Sequence, residues 1–268
     1  MTFTVNDRCI DCGTCWQWDP QHFAPAPSGD TAHVWRQPVG EGETTRALLA
    51  LRACPVAAIQ APAELVRRTP ADGFPALLTR HAAGEVYYCG WASRRSFGAS
   101  SYLIVRPAGN VLIDSPRWIH AADGDAAPGA EHLLQGEESL DLDPDLRLIP
   151  VAGHTAGSLV ALLGGQILFS GDHLWWSDTA GAVVASRTYC WHDWDRQLAS
   201  VAKLRELDVR WLLPGHGGRR RFDAGEWAPQ IDGVLSTWGA SGAAAVTQRP
   251  SNSEAISSAA ICSKSSGT

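Results

Sequence analysis

Three cysteines stand at two-residue spacing near the start of this chain, Cys9, Cys12 and Cys15, and a fourth, Cys54, is followed by Pro55. Soft thiolates at that spacing wrap around an iron–sulfur cube, and a Cys-Pro pair commonly supplies the last ligand. The pattern calls for a loop folded around one [4Fe–4S] cluster held by Cys9, Cys12, Cys15 and Cys54. A zinc site of four thiolates fits the count, but zinc favours paired C-x2-C knuckles over a tight triplet. Disulfides would need an oxidising compartment. Cys89, Cys190 and Cys262 have no partner spacing and read as small apolar residues or, in the tail, an exposed thiol.

After the triplet the chain reads Trp16-Gln17-Trp18-Asp19-Pro20. Two-cluster bacterial ferredoxins continue C-x3-C-P, and that later cysteine serves the other cluster. Here Asp19 stands in the ligand's place and the proline survives. The segment from residue 3 to about 62, closed by Cys54-Pro55-Val56-Ala57-Ala58-Ile59, resembles the single-cluster bacterial ferredoxins.

The whole chain has 268 residues, 45% of them hydrophobic, with a formal net charge of -6, enough for one or two domains. The acidic balance argues against nucleic acid as main partner. No apolar run approaches a membrane span. The first cysteine comes too early for a targeting segment to precede it, so a cytoplasmic, reducing location is expected. Most of the 12 Trp sit near the candidate sites, which suits bulky core filling or aromatic-lined pockets.

The domain reading is 1–62 for the cluster, 63–80 for a Pro- and Gly-punctuated linker, 81–238 for a second domain and 239–268 for a disordered tail. A Pro/Gly-rich insert, Pro25 to Gly42, precedes a short helix expected from Glu43 to Ala53. In the second domain, β-rich runs at 86–89, 101–105, 111–114, 146–151, 159–163 and 167–170 alternate with turn signals. Gly164-Gly165 reads as a hairpin turn. From Trp194 the apolar period becomes helical through Leu198, Val201, Leu204 and Leu207. Residues 211–213 form a last strand, and a second helix starts near Pro229.

Three segments put metal-capable side chains beside glycine at strand ends: Gly153-His154-Thr155, Gly171-Asp172-His173 and Gly215-His216-Gly217. Together, across residues 81 to 238, they resemble the metallo-β-lactamase superfamily. The resemblance implies an α+β protein, a ferredoxin-like domain followed by an αββα sandwich. It also implies His154, Asp172 and His216 as ligands of Zn or Fe, and Asp114 as a structural aspartate beneath them. The family's H-x-H-x-D-H segment is missing between Asp114 and His154. His120, Asp123, Asp125 and His132 lie there at other spacings. The sandwich is therefore expected to be incomplete, and its metal site reduced to three ligands. His173 and His192 are the candidates for supporting positions, while His22, His33 and His81 give no signal.

The functional expectation is an iron–sulfur protein with a metallohydrolase-type domain acting on an ester, thioester or similar bond of a small molecule. The other expectations are a redox protein that passes electrons from cluster to a non-haem metal, working with a redox partner protein, and an electron carrier whose second domain is catalytically dead.

Overall fold

The computed structural model describes residues 2–27, 31–70, 72–90, 92, 94, 98–113, 118–120 and 132–239. Asp114, Asp123, Asp125 and the expected disordered tail from 240 onward lie outside them. Among the described residues two compact units emerge, one within Met1–Ala76 and Cys89–Ser100, the other within Leu77–Tyr88 and 101–239.

In the first unit, β1 (Thr4–Val5) pairs antiparallel with β4 (Ile59–Gln60), and β2 (Phe23–Pro25) with β3 (Ala32–Val34). A single turn and a half of helix, α1 (Thr14–Trp18), follows the second cysteine. The main helix, α2 (Gly40–Ala53), starts three residues before the sequence suggests. The reason is local: the Glu43 carboxylate reaches back to accept the Val39 backbone N–H at 2.8 Å, satisfying a donor at the helix start. Glu41 and Glu43 in the first turn and Arg52 in the last match the helix dipole. Ala47, Leu48, Ala50 and Ala53 are buried on the helix, and Ala47, Leu48 and Ala50 pack with Phe3, Phe23, Ile59 and Leu65. Residues expected to be linker hold α3 (Ala63–Val66), begun by Pro62, and most of β5 (Ala76–His81).

In the second unit, β5, β6 (Gly84–Tyr88), β7 (Tyr102–Val105) and β8 (Val111–Ile113) form one sheet in that order. Short strands β9 (Trp118–His120) and β10 (His132–Leu134) pair parallel. A six-stranded sheet is built from β11 (Leu140–Asp143), β12 (Leu146–Pro150), β13 (Leu159–Leu163), β14 (Ile167–Gly171), β17 (Trp211–Pro214) and β18 (Arg220–Arg221), with the hairpin β15 (Trp175–Ser177) and β16 (Ala182–Val184) beside it. The pleat sends alternate side chains to opposite faces. Leu162, Leu168 and Leu212 join the core under α4 (Trp194–Lys203) and α5 (Trp227–Gly239), with Val201, Leu204, Ile231 and Val234. On the other face, the Phe169 ring meets Tyr102 of β7 at 5.5 Å between centroids. The Tyr102 hydroxyl donates to the Pro214 carbonyl at 2.7 Å, tying the two sheets together. Trp227 is buried and its indole N–H donates to the Leu204 carbonyl at 2.8 Å, so its large apolar area is covered with its donor satisfied. The fold is α+β. Among the described residues, both long helices of this unit lie over the six-stranded sheet.

Candidate metal centres

Helix α2 stops because Pro55 follows Cys54. Proline disfavours helical geometry in the residue before it, and Cys54 accordingly sits extended at φ -65, ψ 117. That break delivers the Cys54 thiol to a small cavity also lined by Cys9, Cys12 and Cys15, with Ile10, Thr14, Trp16, Ala32 and Ile59 around them. Backbone donors aim at the sulfurs. Cys9 Sγ accepts from the Asp11 and Ala32 N–H groups at 3.4 and 3.3 Å, and Cys54 Sγ from Ala58 N–H at 3.3 Å. Two non-glycine residues are bent into the left-handed region to achieve this, Asp11 at φ 53 and Ala57 at φ 52. Such strain persists where the surroundings over-determine it, characteristically at functional sites.

No disulfide joins the six described cysteines. Burial pushes the Cys12 and Cys15 thiols up, and crowding by the other cysteines adds to this. A bound cation inverts that balance, since a coordinating thiol is deprotonated outright. Four soft donors around one cavity, with N–H groups pointed at two of the sulfurs, fit an iron–sulfur cluster.

Asp19, at the position where a second cluster's ligand would stand, is absent from the cavity lining. It is fully buried and its Oδ2 lies 2.7 Å from His22 Nδ1. The other ring nitrogen of His22 lies 3.0 Å from Arg36 Nη2 and 3.2 Å from Glu43 Oε2. Arginine has no acceptor, so the Arg36 contact leaves the imidazole proton on Nδ1, facing Asp19. Hydrogen bonds from Arg36 and the Val39 N–H hold the Glu43 pKa down to about 2. Sequence reasoning passed over His22. The signal was an Asp-x2-His turn with Arg and Glu downstream, but these partners are too far apart in sequence to stand out.

In the second unit, β12 and β13 are antiparallel, β13 and β14 antiparallel, and β14 and β17 parallel. Strands β12, β14 and β17 therefore run in one direction and end at the same sheet edge. The loops that leave them carry His154, Asp172 and His216. Asp172 stands between the imidazoles: Oδ1 is 2.7 Å from His216 Nδ1, and Oδ2 is 3.8 Å from His154 Nε2. Burial pushes the Asp172 carboxyl up, but His216 by charge and hydrogen bond, with His154, brings it below its ordinary value. His154 is buried against the Trp191 ring at 4.8 Å. His173 is buried too. Neither of its ring nitrogens has a hydrogen-bond partner among the described residues, and burial, then His154, drives its pKa down to about 3. His192 is exposed. Among the described residues no group of three or more His, Cys, Asp or Glu is arranged to hold a single metal ion.

Helix α4 pins these loops with polar groups that an apolar pattern hides. Ser200 Oγ donates to the Ala152 carbonyl at 2.8 Å, and Gln197 Nε2 to the His173 carbonyl at 3.1 Å. Both residues are more buried than Leu198 on the expected apolar face. Asp193 caps the helix by accepting from the Arg196 N–H at 2.9 Å, and its own N–H donates to the Gly153 carbonyl.

Residues 5–61 match the family described as the 4Fe-4S single cluster domain of Ferredoxin I, which supports an iron–sulfur cluster in the first unit. No curated protein matches the chain. Among solved structures, an archaeal metallo-β-lactamase superfamily protein from Sulfolobus tokodaii is 16% identical over 52% of this chain and 79% of its own, at a TM-score of 0.36. The chemotaxis sensor ODP, solved as a peroxy diiron species, is 14% identical over 69% and 98%, at 0.40. A diflavin flavoprotein fragment from Nostoc sp. PCC 7120 is 15% identical over 54% and 88%, at 0.36. These overlaps are too loose to carry chemistry to this chain. No helix of the described residues is long and apolar enough to cross a membrane.

Proposed function

We propose that this chain is an iron–sulfur electron-transfer protein with an attached metal-binding domain of metallo-β-lactamase type. The observation that carries the reading is the meeting of Cys9, Cys12, Cys15 and Cys54 on one cavity, with backbone N–H groups directed at Cys9 and Cys54. The cluster, when bound, supplies a one-electron couple. The chain's part is to hold four thiolates, to offset their charge with N–H dipoles, and to limit water with Ile10, Trp16 and Ile59. A redox partner protein would exchange the electron, and a reducing compartment would keep the four thiols available.

The second domain supports a second reading, hydrolysis of an ester, thioester or similar bond in a small molecule. What favours it is Asp172 set between His154 and His216 at one sheet edge. Two imidazoles and a carboxylate suit Zn or Fe with open positions, and such a metal would acidify a coordinated water. Its ligands would come from His154, Asp172 and His216, which would have to rearrange because they are not grouped as a three-ligand site among the described residues, while Ser200 and Gln197 fix the loops that present them.

The test combines reduction and metal analysis. Anaerobic protein should take up one electron per chain and give the signal of a reduced cluster. Metal beyond the cluster should disappear in Asp172→Asn and His154→Ala while the cluster stays. Hydrolysis that survives destruction of the cluster but stops in His154→Ala would favour the second reading. Reoxidation of the cluster that depends on His154 would favour electron delivery to the second metal. A chain that takes up no electron would contradict the proposal.

A further inference from the structure

Residues 89–100 lie in sequence between strands β6 and β7 of the second unit, yet the described ones, among them Gly90 and Gly98, pack in the first. Two glycines with left-handed backbones seat them there. Gly90 has φ +68, and a Cβ on it would stand 2.0 Å from the Phe74 ring, which meets Trp18 edge-on at 4.8 Å. Gly98 has φ +80, and a Cβ on it would stand 2.8 Å from Cys12 Cβ and 2.9 Å from Cys12 Sγ. Only a residue without a side chain lets backbone come this close to the thiol. Thr14 Oγ1 lies between them, 3.3 Å from Cys12 Sγ and 3.5 Å from the Gly98 carbonyl oxygen. A hydroxyl has one proton, so it serves either the sulfur or the carbonyl. The residues matched to a single-cluster ferredoxin end at 61. This contact is an addition made by a distant part of the chain.

We propose that the Gly98 backbone is part of the cluster housing and sets the cluster's reduction potential. The inference rests on the cluster reading above. Reduction adds negative charge to a centre already ringed by thiolates, and water or hydrogen bonds at the sulfurs stabilise that charge. Gly98 covers Cys12, keeps water from that side, and its carbonyl competes for the Thr14 proton. All three effects hold the potential low and protect the cluster from oxidants. Thr14 acts in the opposite sense whenever its proton lies on Cys12 Sγ. Gly98 and Thr14 are thus positioning residues for electron transfer.

The experiment uses the full chain, purified anaerobically, with Gly98→Ala, Thr14→Val and Gly40→Ala. Gly40 also has a left-handed backbone, φ +79, but nothing lies within 4 Å of an added Cβ, so it separates backbone strain from contact with the cysteine. Iron and sulfide content of the parent chain is read first, and a parent without both would overturn the cluster reading itself. With the parent loaded, redox titration followed by the spectrum of the reduced cluster should show a higher midpoint in Gly98→Ala and a lower one in Thr14→Val. Bleaching in air should be several-fold faster in Gly98→Ala, and Gly40→Ala should match the parent in both readouts. Unaltered potential and bleaching in Gly98→Ala and Thr14→Val at full iron content would overturn the proposal and leave the cluster reading standing.

Discussion

Ala57 is a residue whose backbone is set by its neighbour's task. Its left-handed φ of 52 turns the Ala58 N–H toward Cys54 Sγ. A side chain in that region costs roughly 1–2 kcal/mol. Ala57→Gly should therefore stabilise the loaded chain by about 1 kcal/mol, after allowing for glycine's greater freedom in the unfolded state, as read from denaturant midpoints. Cys54→Ser should sharply reduce iron and sulfide, whereas Cys190→Ser, whose thiol donates to the Gly153 carbonyl at 3.0 Å, should leave both intact. Glu43 gives a pH signature. Its folded pKa of about 2 lies below the ordinary 4.5, so below pH 4.5 the unfolded chain takes up a proton that the folded chain refuses. The stabilisation is present above 4.5 and is lost as pH falls toward 2. Unfolding measured across that window should show the gap between parent and Glu43→Gln shrinking with acid. The cysteines were legible because their spacing is itself the chemistry. His22 was not, because its partners Asp19, Arg36 and Glu43 meet only after the fold brings α2 back.

At the scale of elements, helix ends do most of the positioning. Pro55 stops α2 and leaves Cys54 extended at the cavity, and this was readable because Cys-Pro marks both the candidate ligand and the break. The start of α2 was not, since it depends on a side chain reaching back to Val39. The apolar period located α4 from Trp194 onward, but it pointed away from the two positions that matter to the second site. Ser200 and Gln197 are buried polar residues, and each satisfies a carbonyl in a ligand loop. Ser200→Ala should cost about 1 kcal/mol by stranding the Ala152 carbonyl. It should also loosen any metal at His154, which metal analysis after dialysis against a chelator would show. Periodicity counts apolar residues and so cannot see such pins.

Across the whole molecule, sequence order and spatial grouping part company between Cys89 and Ser100, whose described residues pack with the first unit although the strands on either side belong to the second. A linear reading of domains has no means of finding this, because nothing in the composition of the segment marks where it will rest. Strand direction has a similar reach. The order of the six-stranded sheet brings loops separated by up to some sixty residues to one edge, and there His154, Asp172 and His216 meet. The motifs were visible singly, whereas their convergence depended on the parallel pairing of β14 with β17. In the first unit, the proposal is that four cysteines hold one iron–sulfur cube. Iron, sulfide and zinc per chain after anaerobic purification test it most directly. About four irons and four sulfides are expected, both lost in Cys54→Ser. Zinc without sulfide at these cysteines would contradict it.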